Sequence, residues 1–151
     1  VASSETFALN LAAFAKKAPE QARTVVRKVS IDLLTATVLR TPVGNPDLWK
    51  SKPPKGYVGG RLRANWTVSI GVPDTTTTDA IDQSGEGTIN AGRAVIDTAD
   101  TTQAIYMTNS LPYAVSIEYG HSGVQAPAGM VRVSVADFQA FVDKAAAELP
   151  K

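Results

Sequence analysis

The sequence predicts an α+β fold: a long N-terminal helix and a C-terminal helix packed on a small antiparallel sheet, with two long loops. Three patterns predict it. Residues 19–41 carry apolar side chains at helical spacing with no internal Gly or Pro, residues 62–72 alternate apolar and polar, and the last helical run ends at Pro150. A period of 3.6 marks an amphipathic helix, and a period of two marks a half-buried strand. At 151 residues the chain is read as one domain, 1–151, with long loops at 43–60 and 73–88.

In order along the chain, Thr6 is placed to cap a first helix over about 6–17, with Phe7, Leu11 and Phe14 on one side. Pro19 separates it from a second helix, since proline is tolerated in the first turn but not the interior. The second helix aligns Ala22, Val25, Val26, Val29, Leu33, Ala36 and Val38 or Leu39, and Pro42 stops it. Residues 43–60 hold three prolines, four glycines and three lysines and read as an irregular loop. Leu62 to Val72 is expected to be a strand, with Leu62, Ala64, Trp66, Val68, Ile70 and Val72 on one face. The Thr-rich stretch from 73 onward is polar and reads as a flexible loop. Residues 88–98 fit a short helix or a helical connection, and 103–109 a second strand. Tyr113 to Tyr119 fits a strand or, nearly as well, a short helix. The C-terminal helix has two readings. Ser134 and Asp137 form a capping box with a Val133–Phe138 staple, leaving Met130 to Val133 as a short strand. Alternatively the helix starts near Gly129, with Val131, Val135, Phe138, Val142, Ala145 and Leu149 on one stripe.

Composition excludes several functions. With no Cys there is no disulfide framework, thiolate metal site or Cys nucleophile, and a single His cannot build a multi-His metal site. A net charge of +1 argues against a free-standing phosphate-neutralising DNA binder, and 7% aromatics against a base-stacking platform. No apolar run approaches a membrane span of about 18 residues, and no membrane partner is expected. The first residues lack a basic segment followed by an apolar core, so a soluble protein made in a cytoplasm is expected. Charge is split along the chain. Residues 1–72 carry 11 basic and 4 acidic residues, net +7, and residues 73–151 carry 4 and 10, net −6. The two halves either pair within one fold or meet head to tail between subunits.

No motif supports catalysis, and no cofactor is expected. Gly120-His121-Ser122-Gly123 falls short of the G-x-S-x-G nucleophile elbow, and His121 next to Ser122 has no orienting acid in view. Gly56 to Arg61 lacks the G-K-[ST] ending of a phosphate loop. The chain is therefore expected not to be an enzyme.

Three ordered stretches carry a resemblance. The first is Thr41-Pro42-Val43 followed by Gly60-Arg61-Leu62-Arg63-Ala64-Asn65-Trp66. The second runs from Tyr106 through Asn109-Ser110-Leu111-Pro112-Tyr113-Ala114 to Ile117-Glu118-Tyr119-Gly120. The third is Gln125-Ala126-Pro127-Ala128-Gly129-Met130-Val131-Arg132. Together they resemble the neck, or tail-completion (head–tail joining), proteins of long-tailed bacteriophages. The chain departs from that family's pattern by an insertion near Gly44 to Val58 and by lacking an Asp-Thr before the Arg-Leu-Arg. The resemblance implies a structural virion protein without catalysis, located at the head–tail neck after synthesis in the host bacterial cytoplasm. It implies a homo-oligomeric ring, a hexamer first and a dodecamer otherwise, around the channel for viral DNA. Its partners would be the head-closure or connector proteins and the tail tube or terminator proteins. A tail terminator or tail assembly protein of the same virion is the alternative. From another class, and read from the basic residues themselves, comes a DNA-binding accessory protein using Lys50, Lys52, Lys55, Arg61 and Arg63.

Within that picture Arg61 and Arg63 supply planar donors for a neighbour's carboxylate, and Glu118 is the candidate acidic partner. Trp66, Tyr113 and Tyr119 supply amphipathic contact area, and Arg132 completes the interface set. For each, an intrachain role is the competing reading. Lys50, Lys52 and Lys55 would face DNA. Residues 44–58 and 73–87 are expected to be mobile in the free subunit and to order on assembly, because neither has apolar periodicity.

Overall fold

A computed structural model of the chain describes residues 4–150. The α+β class holds. Seven helices and one two-stranded antiparallel sheet are found among the described residues. Helix α1 spans Ser4–Lys17 and α2 spans Pro19–Arg40, with Pro19 at the first helical position as the sequence predicts. Thr6 does not precede α1 but lies inside it.

Helix α2 is the spine, packed by four other helices. Its buried residues are Ala22, Val25, Val29, Leu34, Thr37 and Val38. The expected stripe is right at its start and shifts at its end. Leu34 and Thr37 go inward instead of Leu33 and Ala36, and Leu39 is exposed. Two different surfaces pull on the helix. Its first half meets the C-terminal helix through Val25, Val29 and Ala145, and its second half meets the main core.

The expected strand 62–72 is two elements. Gly60, with φ of +112°, turns the chain into a four-residue helix α3, Arg61–Ala64, and only Thr67–Ile70 forms strand β1. A side chain at Gly60 would also press on the backbone of Asp82 and Gln83. The period of two was satisfied across this boundary because Leu62 and Trp66, four apart, share a helical face as readily as a strand face.

Strand β2, Ile105–Thr108, pairs with β1 in the register Thr67↔Thr108, Val68↔Met107, Ser69↔Tyr106 and Ile70↔Ile105. Val68, Ile105 and Met107 pack against the core, while Thr67, Ser69, Tyr106 and Thr108 share the other face. The ambiguous stretch near 88–98 is helix α4, Glu86–Ile96, so the expected loop 73–88 ends three residues early at its helical end. Gly92 sits where α4 presses on both α2 and β1. A Cβ there would collide with Leu34 and Val68.

Tyr113–Tyr119 takes its helical reading, as α5, Ala114–Glu118. The C-terminal segment follows the second reading in part. Helix α6, Val131–Ala136, begins just after Gly129, and α7, Phe138–Ala147, follows after a break at Asp137. The capping box does not form. Ser134 is fully buried inside α6, where its hydroxyl donates to the Met130 carbonyl and accepts from Arg40. The break splits the expected stripe. Phe138, Val142, Ala145 and Leu149 pack on α2, whereas Val135 and Val131 are exposed.

Candidate functional site

The three stretches that carry the family resemblance meet at one junction. The buried Thr41 hydroxyl, just after α2, donates to the Thr37 carbonyl at 2.7 Å and accepts from the Trp66 indole N–H at 2.7 Å. Arg63 donates to the carbonyls of Thr41, Leu39 and Gln83. The Asn109 amide donates to the Leu62 carbonyl at 2.8 Å, and the Gln125 amide reaches the Val43 carbonyl at 2.9 Å. Arg63 thus binds the chain end of α2, whose last carbonyls lack helical partners. Burial lowers its pKa, and the charge of Asp82 acts the other way.

Glu118 closes the junction from the other side. Its carboxylate accepts the backbone N–H groups of Met130, Val131 and Arg132 at 2.7–3.0 Å. These are orphan donors at the start of α6, where a negative charge also meets the positive end of the helix dipole. Burial pushes the Glu118 pKa up. The hydrogen bonds from Arg132, Val131 and Met130 outweigh it and hold the carboxyl below its usual value. Gly129, at φ +87°, is required because a Cβ would run into the Glu118 carbonyl and carboxylate. Arg132 donates to both the carboxylate and the main chain of Glu118 and lies 4.9 Å over the Tyr119 ring. Of the expected interface residues, then, Trp66, Arg63 and Glu118 have intrachain roles: a core indole, a strut and a helix anchor.

Other members of the set face outward. Tyr119 is 72% exposed and Tyr113 42%. Arg61 pairs with Asp79 at 2.8 Å and donates to the Thr78 carbonyl, and its guanidinium borders an open groove. That groove holds about 520 Å³ and is walled by Trp49, Tyr57, Val58, Ile81 and Tyr113. Trp49 and Tyr57 pack on each other, with ring centroids 4.7 Å apart and tilted by 56°. Burial raises the Tyr113 pKa. Lys50, Lys52 and Lys55 lie exposed on the same loop and make no ion pair among the described residues. His121 and Ser122 contribute backbone bonds to Ser116 and Ala126, and their side chains are not hydrogen-bonded to each other.

Asp82 is a functional anchor that the sequence reading missed. Its carboxylate accepts from the N–H groups of Gly85 and Thr88 and from two hydroxyls. Burial raises its pKa, and the bonds from Thr88, Gly85 and Ser84 lower it further than burial raises it. An Asp shortly before a helix is a readable N-terminal signal, and Asp82 precedes α4 by four residues. No helix among the described residues is long and apolar enough to cross a membrane. Comparison with protein-family models, with curated proteins and with solved structures found no match for this chain.

Proposed function

We propose that this chain is a structural subunit of a bacteriophage neck. In this reading it forms a ring that joins the capsid connector to the tail and surrounds the DNA channel. The observation that carries the reading is the convergence of the three resembling stretches on one hydrogen-bonded junction. Thr41, Arg63, Trp66, Asn109, Glu118 and Arg132 come from stretches far apart in sequence and are tied by hydrogen bonds that, apart from Trp66 to the Thr41 hydroxyl, engage the backbone. A motif set with that placement serves shape. It holds α5 and α6 so that Tyr119, Val115 and Val135 stay outside, 72%, 66% and 52% exposed. Exposed apolar patches of this kind mark protein contact sites. The +7/−6 division of charge is met in part within the chain, by the pairs Lys28–Glu148, Arg40–Asp137 and Arg61–Asp79, while Lys50, Lys52 and Lys55 make no ion pair among the described residues and are left for contacts between subunits.

The groove beside Lys50, Lys52 and Lys55 is the natural place for a second contact, made to the connector, the tail tube or the channel DNA. The test is localisation. Purified chain carrying a gold label is mixed with connector-bearing capsids and separate tails, and the joined particles are imaged. Label at the head–tail joint and a rise in joined particles are expected. Joining at the same rate without the chain, with label nowhere on the particles, would overturn the proposal.

A further inference from the structure

The sheet ends in an open edge, and the chain carries a segment that fits it. Gly71 N–H donates to the Ala104 carbonyl, so the pair 71↔104 exchanges hydrogen bonds, and so in turn do 69↔106 and 67↔108. The N–H and C=O groups of Ile105 and Met107 therefore point away from β1. Among the described residues they have no hydrogen-bond partner. Alongside them runs a groove of about 400 Å³, walled by Val26 and Leu33 of α2, Val131 of α6 and Phe138 of α7, with Ile105 and Met107 as its sheet side. None of its lining residues is charged. An uncovered edge over an apolar groove is a template for another strand.

The segment that fits is Thr75–Thr77. From Pro73 to Asp82 the chain runs without a turn or bend. Asp74 is tied to Thr67 and Ser69, and Thr78 to Asn65. The backbone groups of Thr75 and Thr77, between these ties, have no partner among the described residues. Two residues, two apart, thus present free donors and acceptors on each element. Threonine is β-branched and suits a strand, and its methyl suits an apolar groove. Charge does not oppose the fit. The threonine run is neutral, and the carboxylates at its two ends are held within their own chain, Asp74 by Thr76 and Asp79 by Arg61. The groove is neutral, and just past its Val26 wall lies Arg27, which is bonded to the neutral Ala99 carbonyl.

We infer that the edge of β2 is covered by residues 75–77 of a second copy, in the antiparallel register Thr75↔Met107 and Thr77↔Ile105. Thr75 and Thr77 then point into the groove. Donor and acceptor are different surfaces, so the contact is head to tail and extends one sheet from subunit to subunit. The inference rests on the reading of the chain as a self-assembling ring subunit, and it names the surface that assembles.

A cysteine pair tests it, because the chain has no cysteine of its own. Hydrogen-bonded pairs in an antiparallel ladder place Cα atoms about 5.5 Å apart, within disulfide reach. Within one chain the two positions cannot join. Thr78 is tied to Asn65, before β1 begins, while Ile105 faces Ile70 at the far end of β1, and the strand from 67 to 70 alone spans roughly 10 Å. Oxidised Thr77→Cys/Ile105→Cys protein is expected to run as a ladder of covalent multimers on a denaturing gel, and each single variant as monomer or trace dimer. Thr77→Pro removes an N–H that is unpaired in the single chain. It is expected to leave melting and circular dichroism unchanged while raising the concentration needed for assembly at least tenfold. If wild-type protein assembles but the double variant gives no ladder, the edge contact is wrong and the ring reading stands. Efficient dimers from Ile105→Cys alone would put β2 against β2 and overturn the register. Wild-type protein that stays monomeric at every concentration and on every virion component would overturn both.

Discussion

Two loops without apolar periodicity are built in opposite ways. Residues 73–85 are polar and have no apolar period, yet side chains from α3 and the residue after it tie them down. Asn65 bonds both the N–H and the carbonyl of Thr78, Arg61 holds Asp79, Arg63 holds Gln83, and Asp82 anchors the turn into α4. Residues 45–58 contain the aromatic pair and a short 3₁₀ turn, Pro46–Leu48. Their hydrogen bonds, among the described residues, are all to one another. These anchors change what is expected of 73–87, from mobile to held in the free subunit: polar composition removes apolar packing but not anchoring. The expectation for 44–58 stands as a prediction. Insertions tolerate this second design, because a loop that bonds only to itself changes little in the domain beneath it.

The sharpest way to break the contrast is Asn65→Ala. Asn65 is 1% exposed and makes three hydrogen bonds. Losing three part-buried hydrogen bonds, each worth about 0.5–1.5 kcal/mol, is expected to cost about 2–4 kcal/mol in urea unfolding. Hydrogen exchange should rise across 74–82 and not across 46–58. Unchanged stability would mean the loop is not held through Asn65.

Next is Glu118→Gln, which places an amide NH2 where three backbone donors converge. A loss of about 1–3 kcal/mol is expected, read by the same denaturation. Acid sharpens the same point. Glu118 and Asp82 have folded pKa values below their ordinary ones. The stability they add is present at neutral pH and is lost as pH falls through those lowered values, below the usual carboxylate range of about 4. The melting temperature is expected to be level from pH 7 to about 5 and to drop below about 4. In Glu118→Gln the drop should be smaller. The smallest effect belongs to the self-contained loop. Tyr57→Ala should cost about 1 kcal/mol or less, since it removes one partly exposed aromatic contact. A larger loss would mean the loop supports the core.

The fold was legible where one residue type decides the matter. Pro19 and Pro42 bracket α2, the alternation over 67–70 and 105–108 is real, and the helical run of α7 points at α2. It was not legible where two periods coincide, as at Leu62 to Trp66, or where a long-range partner decides. Val131 and Val135 fit an inward stripe on spacing alone. Only the break at Asp137, whose carboxylate is held by Arg40 of α2, turns them outward. The site divided in the same manner. Sequence picked Arg63, Trp66 and Glu118 as chemically distinctive residues but could not see that their partners lie in the same chain. The Glu118 carboxylate meets α6 from twelve to fourteen residues upstream, at a distance that no capping pattern encodes. Tyr113 and Tyr119 are exposed, and the free edge at Ile105 and Met107 had no signal in sequence at all.

Assembly is tested most directly by the mass of the purified chain in solution, measured by light scattering with and without connector-bearing capsids or tail tubes. A closed ring, formed alone or only on the virion template, is expected, and its mass distinguishes six subunits from twelve. A monomer that ignores every virion component would contradict the neck reading.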